Sequence, residues 1–217
     1  MKNLFIMLGC LLSTIAIGQT ALFDDAEFYT RQDSLRGSIT PERSWWDLQY
    51  YDLLVSVDPE NKFISGTNTI TYSVLEKHNV MQIDLQEPMK ITKATQGKKE
   101  LEVIKEGNAH FIKLPEQNES EASVTIHYEG NPREAIRAPW DGGYSWKEDK
   151  NGNHFIATSN QGIGASLWWP CKDHMYDEPD KGMTLRIQAP EDLTAVGNGR
   201  LEKIKKNKDG TRTFTWK

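Results

Sequence analysis

The chain has 217 residues, 37% of them hydrophobic and 26% charged, with 7 Trp, 7 Tyr and 7 Phe. That apolar and aromatic content can fill a core, which excludes wholesale disorder. Lys+Arg 26 against Asp+Glu 31 gives a net charge of −5 with no basic block, which argues against a nucleic-acid partner, and 2 Cys are too few for a disulfide scaffold.

The first residues read as an address. Lys2 supplies a positive start, Leu4 to Ile17 is an apolar run, and Ala16-Ile17-Gly18 offers the small residues that a signal peptidase reads. Residues 1–18 are expected to be an export signal that sends the protein to the periplasm or beyond. The run is shorter than the roughly 20 apolar residues of a permanent anchor, so no stable membrane span is expected. Leu8-Gly9-Cys10 loosely resembles a lipoprotein processing site, but the apolar stretch before Cys10 is short, and simple secretion ranks above it. Loss of residues 1–18 removes Lys2 and no acid, taking the net charge from −5 to −6. It also leaves Cys171 with no internal partner, so stability must come from packing.

Residues 19–45 are polar and aperiodic and read as an N-terminal arm. After Trp45-Trp46 the hydrophobic period becomes two, and residues 46–217 are expected to form one β-domain. Tyr51, Leu53, Val55 and Val57 alternate with Asp52, Leu54 and Ser56; Asp58-Pro59-Glu60-Asn61 is a turn; Phe63 to Val74 answers as the partner strand. Met81 to Leu85 alternates and is closed by Pro88. Gly107-Asn108 joins Glu100–Lys105 to His110–Leu114 as a hairpin, and Ser123 to Tyr128 alternates. Asn151-Gly152 is the strongest two-residue hairpin cue, between Tyr144–Trp146 and His154–Ala157. Met183 to Ile187 ends at Pro190, and Leu201–Ile204 pairs with Thr211–Trp216. No ten-residue stretch has helical spacing, so the fold class is all-β, with many short strands. The chain ends within this last strand and reads as a fragment.

Most catalytic patterns are missing from the sequence. His78, His110, His127, His154 and His174 are scattered without a His-Glu-x-x-His pair, and there is no phosphate-cradling glycine loop or Gly-x-Ser-x-Gly elbow. His127 and His154, on predicted strands, read as packed or solvent-facing side chains, and Asn118-Glu119-Ser120 fits a glycosylation sequon. The segment from Thr158 to Asp173 is different. Gly162 and Gly164 permit close backbone approach, Gln161 offers an amide acceptor and donor, and Trp168-Trp169 is a large apolar anchor. Residue types alone leave two readings open, a packed crossover in a β-domain or a ligand-facing loop.

That segment resembles the N-terminal domain of the M1 (gluzincin) zinc aminopeptidases, in its secreted bacterial branch. The resemblance rests on Thr158 to Gln161, Pro170-Cys171-Lys172-Asp173, Glu178-Pro179, the strand Met183 to Pro190 and Gly197-Asn198-Gly199. Tyr50-Tyr51-Asp52-Leu53, Phe63-Ile64-Ser65-Gly66 and Met81 to Leu85 are similar to the family's opening strands. It covers about residues 46–217. Ser159 stands where the family has its first Gln, and Leu167-Trp168 replaces its paired Arg. The resemblance implies a saddle-like β-sandwich of mostly antiparallel short strands. It places Gln161, with Gly162, where the family holds the substrate's free α-amine, and gives this chain one wall of the S1 pocket. It further implies a catalytic domain after residue 217, with His-Glu-x-x-His and a distant Glu for zinc, where zinc and a general-base Glu activate water. The implied partners are a peptide N-terminus and that catalytic domain. This chain alone is expected to carry no catalytic residue and no metal ligand, and to cleave nothing. Cys171 is expected to be a small buried hydrophobe and Asp173 to cap the following turn. Two alternatives are kept: a non-catalytic scaffold of the same family, and an unrelated exported carbohydrate-binding or adhesion β-sandwich with Trp168 and Trp169 on an open face.

Overall fold

In the computed structural model, residues 29–117 and 119–217 are described; the expected export signal, Cys10 and Asn118 lie outside them. Contacts divide the chain after Ser34, into Met1–Ser34 and Leu35–Lys217. Thr30 and Asp33, in the first unit, reciprocally cap the start of the helix α1 (Arg31–Gly37), whose last three residues belong to the second. Thr30 N donates to Asp33 Oδ2 at 2.8 Å, and Asp33 N donates to Thr30 Oγ1 at 3.2 Å.

The second unit is built from strands because its apolar side chains recur every second residue. β1 (Trp46–Asp58) and β2 (Phe63–Val74) pair antiparallel from Trp46↔Val74 to Asp58↔Phe63, with Leu53, Val55, Ile70 and Tyr72 turned into the core. The turn between them is set by the Asp58 carboxylate, which accepts from Asn61 N at 3.2 Å and Asn61 Nδ2 at 2.7 Å. The remaining strands are β3 (Val80–Asp84), β4 (Lys90–Gln96), β5 (Lys99–Glu100), β6 (Glu102–Glu106), β7 (Ala109–Lys113), β8 (Glu121–Gly130), β9 (Gly143–Glu148), β10 (His154–Ser159), β11 (Met183–Pro190), β12 (Leu201–Lys206) and β13 (Thr211–Trp216). They make an eight-stranded sheet in the order β12-β13-β11-β1-β2-β8-β4-β5, a three-stranded sheet β3-β7-β6 and the hairpin β9-β10. The pairings between these strands are antiparallel except β1 with β11, in register from Tyr51↔Met183 to Ser56↔Gln188. The inward residues of β1, β2 and β8, those of β3 and β7, and Leu167 to Cys171 form one hydrophobic cluster. This is the β-sandwich that the alternation and the resemblance imply.

Three local expectations are corrected. The β9-β10 connection is a loop of five residues, Asp149 to Asn153, whose first carboxylate gathers Asn151 N at 2.7 Å and Asn153 N at 2.9 Å. Asn151-Gly152 marks the hairpin without being its whole turn. β4 is an additional strand that alternation does not reveal, since it fully buries only Ala94 and leaves its other side chains half-buried or exposed. Residues 41–44 of the aperiodic arm form a short helix, α2 (Pro41–Ser44).

β3 explains what that segment does. Its even and odd residues are both buried, with Met81 and Ile83 in the core and Gln82 and Asp84 on the opposite face. Residues 35–45 cover that second face. Gln82 Nε2 donates to Leu35 O at 2.9 Å, Thr40 Oγ1 donates to Gln82 Oε1 at 2.8 Å, and Arg43 Nη2 meets Asp84 Oδ2 at 2.6 Å. Arg43 is fully buried and Leu35 and Trp45 nearly so.

Candidate functional site

Gln161 and Gly162 lie on an exposed turn that begins just after β10. The turn closes through Ile163 N and Gly164 N, which donate to Asn160 O at 3.2 and 3.0 Å. The Gln161 side chain is exposed, and no hydrogen bond to another described residue engages it. Two side chains hold the turn from below. Arg36 Nη2 donates to Ile163 O at 2.8 Å, and Gln86 Nε2 donates to the same oxygen at 2.6 Å. Ser159, at the end of β10, donates its hydroxyl to Pro139 O, which ties the turn to the neighbouring loop that exposes Ile136 and Trp140.

Gly164 ends the turn because no other residue fits. Its φ is +87°, and a Cβ there would stand 2.2 Å from Asp173 Oδ2. That carboxylate accepts from Ser166 Oγ at 2.5 Å and Ser166 N at 3.2 Å, and so fixes the 3₁₀ turn Ala165–Leu167. Asp173 is structural, as its position in the motif implies, but it ties down the preceding turn and not the following one. Its own N–H donates to Asp84 Oδ2 at 3.1 Å. Asp84 is thus a hub, receiving Arg43, Gln82 Nε2 at 3.0 Å and Asp173 while exchanging backbone bonds with Cys171 at 2.9 and 3.1 Å. Burial raises its carboxyl above the usual carboxylate range, opposed by Arg43, Gln82 and the Asp173 N–H.

Trp168 and Trp169 are 8% and 7% exposed. Trp169 meets the ring of Tyr51 edge-on at 4.9 Å, and Trp168 packs on Tyr144 at 6.2 Å. A pair of sugar-stacking platforms would need open faces, so this burial removes the observation on which the carbohydrate-binding alternative rests. Cys171 is buried, and burial pushes its thiol well above the ordinary value, with the Asp173 and Asp84 charges adding to the effect. It packs as a small hydrophobe.

The charge inside the motif is the surprise. Lys172, fully buried at its side chain, donates to Trp46 O at 2.7 Å and to Asp177 Oδ2, and lies over the Trp46 ring at 3.9 Å. Burial lowers its ammonium, opposed by Asp177. Desolvation, followed by the Asp177 and Asp180 charges, raises the nearby Asp47 carboxyl. Neither Lys172 nor the Arg36–Gln86 clamp stands out in the sequence; the one local sign is a lysine directly after the apolar Trp-Trp-Pro-Cys run.

Among the described residues no group of three or more His, Cys, Asp or Glu side chains is placed to hold a metal ion. These described residues therefore do not fit zinc. Nor is any helix among them long and apolar enough to cross a membrane.

The family model of the peptidase M1 N-terminal domain matches residues 48–217. The chain belongs to that family. Its architecture is shared with solved M1 enzymes. The M1 zinc metallopeptidase from Deinococcus radiodurans is 21% identical with a TM-score of 0.63, over 80% of this chain and 39% of that one. A variant of the same enzyme has been solved with a Tyr-Ser-Ala substrate bound. Native yeast LTA4 hydrolase is 16% identical with a TM-score of 0.61, over 88% of this chain and 31% of the other. At these identities the likeness is one of fold. The M1 domain described here therefore spans about two fifths of the length of the Deinococcus enzyme, 39%. No curated protein matches it in sequence.

Proposed function

We propose that this chain is the N-terminal domain of an exported zinc aminopeptidase, and that Gln161 and Gly162 receive the α-amine of the substrate. The observation that carries the reading is the Gln161 turn. It offers an exposed amide with no hydrogen-bond partner among the described residues, on a backbone fixed from below, at the position to which the family motif points. A free carbonyl oxygen held this way accepts a hydrogen bond from an ammonium, and charge-assisted bonds are about twice as strong as neutral ones. The exposed Ile136 and Trp140 on the adjoining loop supply apolar surface for the first side chain of the peptide, one wall of S1. The hydrolytic centre, with zinc and its ligands, is assigned to a domain outside these 217 residues. The greater length of the Deinococcus enzyme, itself a zinc metallopeptidase solved with a peptide substrate, supports that division.

The test uses the product of the complete gene. It should hydrolyse an aminoacyl-p-nitroanilide and leave the N-acetylated compound intact. Gln161→Ala should raise KM about tenfold with a smaller change in kcat, the loss of roughly one charge-assisted hydrogen bond. Equal cleavage of the acetylated substrate would sink the aminopeptidase reading. The 217-residue chain by itself should bind no zinc in metal analysis and hydrolyse neither compound. If the complete gene lacks a His-Glu-x-x-His pair, the non-catalytic scaffold replaces the enzyme.

A further inference from the structure

We infer that Arg36 is a positioning residue for the amine-binding turn, supplied by a segment that precedes the family's domain. This deepens the proposal above and rests on it. The family match begins at residue 48, whereas Arg36 sits in α1, and its guanidinium crosses 127 positions of sequence to donate to Ile163 O. A second, longer approach reaches Gly162 O at 3.5 Å. These carbonyls belong to the two residues that follow Gln161, so the clamp acts on the backbone that aims its side chain.

The segment can act as a clamp because it is itself anchored at several points. Leu35 is 3% exposed and its carbonyl accepts from Gln82. Arg43 Nη1 donates to Arg36 O at 3.1 Å and Ser38 O at 2.8 Å while Nη2 pairs with Asp84. His174 Nε2 lies 3.0 Å from Gly37 O. Asp84, through Asp173, also holds Ser166 at the far end of the turn. The same buried carboxylate therefore fixes both the clamp and the turn it grips. Gln86 completes the arrangement, bonding Ile163 O and Ser166 Oγ at 2.9 Å from the end of β3.

Charge makes the inference testable, because Arg36 has two opposed effects on a bound ammonium. Its positive charge repels the amine, while its hydrogen bonds hold the turn that binds it. Arg36→Met removes both, and Arg36→Lys keeps the charge and one donor. Amide exchange on the 217-residue chain reads the turn directly, through the hydrogen-bonded Ile163 and Gly164 amides. Arg36→Met should speed exchange at these two amides about tenfold and leave those of β1 and β2 unchanged, and Arg36→Lys should recover part of the protection. In the complete enzyme Arg36→Met should raise KM for an aminoacyl-p-nitroanilide severalfold, with kcat less affected.

Unchanged exchange at Ile163 and Gly164 would overturn the inference, as would faster exchange spread through β1 and β2, which makes Arg36 a general staple of the fold. A KM that falls in Arg36→Met would make it an electrostatic opponent of the amine and also overturn positioning. If Gln161→Ala raises KM and Arg36→Met does not, positioning fails alone. If neither variant moves KM, the amine-binding assignment itself fails, and the inference with it.

Discussion

Gly164 and Gly162 both adopt positive φ, +87° and +71°, yet only one has a neighbour in the way. Gly164→Ala must displace the Asp173 carboxylate and should cost about 3 kcal/mol or more in urea unfolding, while Gly162→Ala meets open space and should cost only about 1 kcal/mol of backbone strain. His110 gives a pH signature. It is buried with Nδ1 unpartnered, and burial, with help from Lys105, holds its pKa at about 4, down from 6.5. The unfolded chain takes up this proton near pH 6.5 and the folded one only near 4, so its share of stability is complete above 6.5 and disappears as pH falls to 4. That share is roughly 3 kcal/mol. Unfolding free energies measured across this window should fall more steeply for the wild type than for His110→Phe. Cys171 should resist a thiol reagent in a Cys10→Ser chain until the protein unfolds, since its thiol is buried and protonated. Prompt labelling would contradict this packing.

Among the elements, the residues from His174 to Gly182 are held to β1 by several hydrogen bonds and by the buried Lys172–Asp177 pair. Asp177 accepts from Lys172 and, at 3.3 Å, from Leu48 N; Asp180 N and Lys181 N then donate to Leu48 O and Gln49 O. Lys172→Met leaves Asp177 desolvated without its counter-charge, so unfolding should cost about 3–5 kcal/mol less than in the wild type. Lys172→Met with Asp177→Leu should recover most of that loss, and a double variant no better than the single one would deny the pair this role. The elements also show how far sequence goes. β1, β2, β8 and the hairpin strands β6-β7 and β12-β13 are legible because their alternation and turn residues are local. β4 is not, because it lies toward the edge of the sheet and only Ala94 among its side chains is fully buried. The arm gives no period at all, since its burial is decided by Gln82 and Asp84 more than 40 positions later. At the candidate site, Gln161 is reached through the motif around it, while nothing near Arg36 in sequence indicates the carbonyl it meets at residue 163.

For the second unit as a whole, residues 35–45 of the arm belong to the fold. A chain beginning at Trp46 keeps all of the matched domain but loses Leu35, Arg43 and Trp45 and leaves Asp84 without its cation. It should be less stable than a chain beginning at Leu35 by at least about 3–5 kcal/mol, measured by urea unfolding. Equal midpoints would show that residues 35–45 only lie on the surface.

The parallel pairing of β1 with β11 sets an order of assembly. Tyr51 meets Met183, 132 positions later, so β1 acquires one of its two neighbours from β2 at once and waits for the other until residues 183–188 are available. Contacts this distant in sequence make folding slow. Until they form, the outer edge of β1 presents unpaired N–H and C=O groups to any other strand nearby. A nascent chain thus carries an unpaired edge on its first long strand, and β11, followed by the lysine-rich β12 that joins through β13, is what finally caps it.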